Sequence, residues 1–114
     1  MGRALGELEK LVLLAVVELD DEAYGAEVGR AIEHRTGRSI SSGSIYTALD
    51  RMESRGLIQS HVGEPTPERG GRRRKYYRVE PAGARELHDA LEAMRAMARG
   101  VLPRLRALAA GEAE

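Results

Sequence analysis

The sequence predicts a mainly α chain of α+β type: three helices, then a two-stranded hairpin, then one long closing helix. Three observations predict it. Apolar residues recur at helical spacing in three successive segments, two short strand-like runs flank a glycine- and arginine-rich stretch, and a heptad of apolar residues runs along the C-terminal third. A chain of 114 residues has room for one compact core and excludes a two-domain enzyme. Phe, Trp and Cys are absent, so the aromatics are Tyr24, Tyr46, Tyr76 and Tyr77. The missing cysteine removes disulfides, thiolate metal ligands and cysteine nucleophiles together.

The first helix is expected over Leu5 to Leu19, where Leu11, Val12, Leu13, Leu14, Val16 and Val17 are nearly continuous. Apolar residues all round a helix imply burial on two sides, one against the chain's own core and one against a second subunit. Asp20, Asp21 and Glu22 end this element and place carboxylates near the next helix N-terminus, where the dipole favours them. Tyr24, Val28, Ala31 and Ile32 recur at i, i+4, i+7 and i+8, which predicts a second helix over residues 24 to 35 closed by Gly37.

Ser41 and Ser42 are both N-cap candidates for a third helix, with Ile45, Ala48, Leu49 and Met52 in one apolar stripe and Gly56 as the stop. Ser44, Tyr46, Thr47, Asp50, Arg51 and Ser54 fall on the opposite face. They form a set of hydrogen-bonding groups rather than a plain solvated run of Glu and Lys. Leu57, Ile58 and Val62 then start a strand that Gly63, Pro65 and Pro67 terminate, and Lys75 to Val79 returns as a second strand up to Pro81. Arg69, Gly70, Gly71, Arg72, Arg73, Arg74 and Lys75 form the basic tip between them.

The closing helix opens on Pro81, which suits a first helical position. Leu87, Leu91, Met94, Ala98, Val101, Leu105 and Leu108 follow at spacings of 4, 3, 4, 3, 4 and 3, a seam typical of paired helices. Gly100 and Pro103 predict a kink or break near residues 99 to 103. Two units result: residues 1–80 and residues 81–114.

Net charge is zero but unevenly spread. Residues 1–34 sum to minus 5, residues 35–78 to plus 6 and residues 79–114 to minus 1. One local anion-binding surface follows, rather than a chain sticky for polyanions everywhere. The longest apolar run, Leu11 to Val17, is too short to cross a bilayer, and no charged-then-apolar leader precedes it. The expectation is a soluble, unprocessed, cytoplasmic chain with no membrane partner.

Three helices and a basic hairpin, with a short connection before a third helix that is polar outside, follow the order of a winged helix-turn-helix with a C-terminal dimerisation helix. A helix about 10 to 12 Å wide fits the major groove, and a basic hairpin reaches the neighbouring backbone or minor groove. Double-stranded DNA is therefore the expected partner. Ser42, Ser44, Tyr46, Thr47 and Arg51 are the expected contacts from the helix, and Arg69, Arg72, Arg73, Arg74 and Lys75 from the tip, with Asp50 orienting a neighbouring arginine. Leu8, Val12, Leu87, Leu91, Met94, Ala98 and Val101 are the expected subunit contacts. One of the adjacent Tyr76 and Tyr77 must point inward, because side chains alternate along a strand.

The stretches SSGSIYTALDRMESRGLI (41–58), GRRRKYYRVEPAGARELHDAL (71–91) and EAYGAEVGRAI (22–32) resemble the PadR family of transcriptional regulators over roughly residues 5 to 98. The combination of Tyr24-Gly25, Gly43-Ser44-Ile45-Tyr46 with Leu49, and the basic run into Tyr76-Tyr77-Arg78 carries the specificity. The resemblance implies a homodimeric repressor whose last helix packs on the partner's first helix and presents two recognition helices to a palindromic operator. Glu80 stands where many members have a Thr capping the last helix. Without tryptophan, the aromatic drug-binding arrangement of some multidrug-responsive members is not carried over, and the sequence names no small-molecule effector.

The competing reading is a dimeric adaptor that binds protein through the same scaffold without sequence-specific DNA binding. Catalysis finds no support. His34, His61 and His88 lie on separate elements without the i, i+4 pairing of a zinc site, Gly43-Ser44 lacks the rest of a nucleophile elbow, and Gly70-Gly71 has no phosphate-loop context. No metal, cofactor or catalytic residue is expected.

Overall fold

The computed structural model describes residues 4–65, 67 and 73–112. The element order is α1 (Glu7–Leu19), a 3-10 turn (Asp20–Glu22), α2 (Gly25–Thr36), α3 (Ser42–Ser54), β1 (Ile58–Val62), β2 (Lys75–Val79), α4 (Pro81–Ala98) and α5 (Leu102–Ala109). This is the winged-helix order, with the C-terminal element divided into α4 and α5.

Each boundary has a local cause. The Glu9 carboxylate reaches back to accept from the Gly6 N–H at 2.8 Å, which satisfies one orphan donor at the start of α1. Gly37 takes φ 77°, and its N–H donates to the Glu33 carbonyl at 2.8 Å, so α2 ends in a left-handed residue that tolerates the conformation without strain. Ser41, not Ser42, caps α3: its hydroxyl oxygen accepts from the Ser44 N–H at 3.1 Å. Ser42 is the first helical residue.

The core lies where α1, α2 and α3 meet the hairpin. Leu13, Val16, Val28, Ile45, Leu49, Met52 and Ile58 are buried in it. The strands pair antiparallel, with Ile58 opposite Val79, Ser60 opposite Tyr77 and Val62 opposite Lys75. A two-stranded hairpin is marginal alone. Here the free edge of β2 gains a third partner, because Tyr77 donates its N–H to the Ala23 carbonyl at 2.8 Å and Tyr24 bridges to Tyr76.

Two expectations need correction. Val12 and Leu87, expected at a subunit contact, are 0% and 6% exposed and belong to the chain's own core: Val12 lies on the inner side of α1, and the heptad seam begins at Leu87 while α4 still lies on the body. The apolar residues that α1 leaves outward are Leu14 and Val17. The break near residues 99 to 103 is present: Gly100 takes a left-handed conformation between α4 and α5, and Pro103 sits in the first turn of α5. The strand expected from Leu57 starts at Ile58, with Leu57 buried in the preceding turn. Glu80 is the N-cap of α4 and supplies no side-chain cap.

Beyond Leu87 the C-terminal helices leave the body. Leu91, Met94, Met97, Val101, Leu102, Leu105 and Leu108 are all exposed, and the chain extends over 60 × 33 × 21 Å. Among the described residues no helix is long and apolar enough to cross a membrane.

Tyr77 is the inward member of the tyrosine pair, 2% exposed. Burial, helped by the charges of Asp50 and Glu53, pushes its phenol up to about 12. The folded state therefore holds this proton more firmly than the unfolded chain does. The stability contributed by the neutral phenol is complete below the ordinary value of 10 and is lost as pH rises toward about 12. Denaturant midpoints measured across that window should fall more steeply for the native chain than for Tyr77→Phe; parallel losses would show that other groups govern alkaline unfolding.

Candidate nucleic-acid interface

Burial of Ile45, Ala48, Leu49 and Met52 turns the other side of α3 to solvent. Ser42, Ser44, Tyr46, Thr47, Asp50, Arg51 and Ser54 are all exposed on it. At the N-terminal end the Ser41 hydroxyl donates to Ser44 Oγ at 3.0 Å. Gly43, Ser44, Thr47 and Arg51 line an open groove of about 660 Å³ shared with Glu7 and Leu8 at the start of α1. Hydroxyls at a helix N-terminus with one guanidinium about two turns further on suit contact with phosphates and base edges.

Tyr46 connects this face to the hairpin. Its ring lies against Gly25, where an added Cβ would come within 2.3 Å of Cζ and the hydroxyl oxygen. Only glycine at the start of α2 allows that approach. Next to Gly25, the Tyr24 ring meets Tyr76 edge-on with centroids 5.5 Å apart, and His61 stacks on the other side of Tyr76, also at 5.5 Å. The Arg74 guanidinium sits 4.1 Å above the Tyr24 ring, a cation–π geometry. A side-chain hydrogen bond with Tyr76 holds the Arg74 proton still more firmly than usual.

The hairpin cations therefore differ. Arg73 is exposed, Arg74 is half-buried against the tyrosines, and Lys75 lies with its Nζ 3.8 Å from Glu53 Oε1 on α3. Glu53 also accepts from the Ser60 hydroxyl at 2.6 Å, so one carboxylate joins α3 to both strands. Arg69 and Arg72 lie outside the described residues. Asp50 makes no ion pair among the described residues, and its charge acts on the Tyr77 phenol.

Reading the sequence missed Tyr24, Gly25 and Glu53 as parts that hold this surface together. The Tyr-Gly pair at a helix start was a usable signal, because a glycine at the first helical position admits a ring from a neighbouring element. Glu53 carried none, since its partners lie on other elements. With no Trp or Phe in the chain, near-ultraviolet circular dichroism reports on the four tyrosines alone. Tyr24→Leu should reduce that signal and speed amide exchange at Gly63 and Tyr77, whereas Tyr24→Phe should preserve the exchange protection. Equal protection in the native chain and Tyr24→Leu would show that the stack does not hold the base of the hairpin.

Comparison with known proteins agrees with this architecture. The model of the transcriptional regulator PadR-like family matches residues 13–89. Transcriptional regulator Rv3488 from Mycobacterium tuberculosis is 35% identical over 83 residues, which cover 73% of this chain and 73% of that protein. Among solved structures, a PadR family transcription regulator from Clostridium difficile R20291 superposes with TM-score 0.68 at 29% identity, covering 88% of this chain and 99% of the other. A transcriptional regulator from Clostridium thermocellum gives TM-score 0.68 at 28% identity, covering 84% and 90%. The chain belongs to the PadR-like family of transcriptional regulators, a family of regulators and not of enzymes.

Proposed function

We propose that this regulator is a cytoplasmic homodimeric repressor that reads a palindromic double-stranded DNA operator through α3 and grips the adjoining backbone with the β1–β2 wing. The observation that carries the reading is the continuity of one surface. The exposed face of α3 passes through Tyr46, Gly25 and Tyr24 to Arg74, and through Glu53 to Lys75. Sequence discrimination belongs to Thr47 and Arg51, and phosphate contact to Ser42, Ser44, the Tyr46 hydroxyl and the basic residues of the wing, Arg69 and Arg72 among them.

Dimerisation is supported by apolar surface that the single chain leaves open. Leu91, Met94 and Val101 are exposed along α4 and the turn after it, with half-buried Ala98 on the same seam. Leu11, Leu14 and Val17 of α1, with Ala31 and Ile32 of α2, line a groove of about 470 Å³. Contiguous apolar surface of this kind marks a protein contact, and a heptad seam favours a second helix as its occupant. Leu8 is half-buried at the other end of α1.

Labelled promoter fragments titrated against a scrambled duplex at two salt concentrations test the reading. If the dimer neutralises about six phosphates, the log–log salt slope is close to −5. Charge reversal at Arg73 and Arg74 should weaken all duplexes alike, while Thr47→Ala and Arg51→Ala should also change base preference. Binding without sequence preference that vanishes at moderate salt would favour the adaptor instead.

A further inference from the structure

The start of α4 is fastened to the end of α3 by three contacts of different kinds. Leu57 follows the turn that leaves α3, and its carbonyl accepts from the Glu80 N–H at 2.8 Å. One turn into α4, a Cβ on Gly83 would come within 2.2 Å of the same carbonyl oxygen, so the helix lies directly on this peptide and only glycine fits. A further turn along, Glu86 meets Arg55, the C-cap of α3. One Arg55 nitrogen donates to both carboxylate oxygens, at 3.1 and 3.0 Å, across 31 residues of sequence. The pair is half-buried, and the guanidinium's other terminal nitrogen is buried without a hydrogen-bond partner among the described residues.

Surface ion pairs generally contribute little. This one differs in sitting half-buried at a packed junction, where one guanidinium nitrogen is shared between both carboxylate oxygens in a charge-assisted contact. Leu57 and Leu87 are buried in the core, whereas Leu91 is already exposed, so α4 is held at its N-terminal end, where it also packs on α1.

Small rotations here become large displacements. An 18-residue helix is about 27 Å long, so a turn of ~10° at its base carries its far end ~5 Å, more than the ~3.4 Å between neighbouring base pairs. We infer that Arg55 and Glu86 are positioning residues that set the angle between the recognition helix and α4, and through it the separation of half-sites that the dimer accepts. The inference rests on the dimeric DNA reading proposed above.

The test is selection from a pool of synthetic duplexes in which two randomised arms of about eight base pairs are separated by spacers from none to about one helical turn, ~10 base pairs. The native chain should enrich a common arm sequence and one spacer length, roughly tenfold over its neighbours. Arg55→Met and Glu86→Gln, each confirmed as folded by a cooperative melt, should enrich the same arm with spacer preference reduced to about threefold or less, since a looser joint spreads effective concentration over several spans. The double exchange Arg55→Glu with Glu86→Arg should restore the single spacer. Glu86→Gln keeps side-chain size, so it serves alone if Arg55→Met does not fold.

An unchanged, sharp spacer preference in either folded variant overturns the inference. So does loss of the arm sequence itself, which would assign the pair to support of the α3 reading face. If the native chain enriches no arm sequence, the failure lies in the proposed DNA reading, and the spacing role falls with it.

Discussion

Everything on this surface depends on how α3 is gripped from behind. Ile45, Ala48, Leu49 and Met52 are between 0% and 4% exposed, and a helix with four such positions in one stripe has a single rotation about its axis that keeps them all in the core. That rotation leaves Ser44, Thr47 and Arg51 with nowhere to go but outward. The polar face is therefore held by apolar packing on its opposite side and needs no ligand to order it.

Much of this was legible from side-chain periodicity, because the decisive contacts are local or follow from a stripe. The α3 stripe, the stop at Gly56, the return strand from Lys75 and the opening of α4 at Pro81 are each written in neighbouring residues. The missed parts depend on contacts between distant segments. Val12 reads as a subunit contact because a helix apolar all round does not say which side meets its own core, and Leu87 because a heptad pattern records which residues are apolar and not where the helix leaves the body. Glu53 and Glu86 carry no signal in their own sequence neighbourhoods. Their partners, Ser60, Lys75 and Arg55, come within reach only once the hairpin and α4 have folded back over the end of α3.

Charge is distributed unevenly along the chain. The net basic stretch, residues 35–78, runs from the end of α2 through α3 and the wing, while residues 1–34 sum to minus 5. Most exposed large apolar residues lie on α1 and on the C-terminal helices, and on the latter Arg95, Arg99 and Arg106 share a groove with Leu102. Long arginine side chains beside such a seam pack their stems on it and keep their charged heads in water.

The wing shows why the same residue types recur in two roles. Two strands of five residues cannot supply an apolar core of their own, and of the inward positions Tyr77 carries most of the burial. The base of the hairpin is held instead by amphipathic groups: the rings of Tyr24 and Tyr76, the stacked His61, and the guanidinium of Arg74 over an aromatic face. Such groups pack on one side and stay hydrated on the other. A cation at this position therefore orders the hairpin while adding to the field that Arg73 presents beside it. A purely apolar anchor would hold the strands equally well but would leave the approach to a phosphate backbone without its charge.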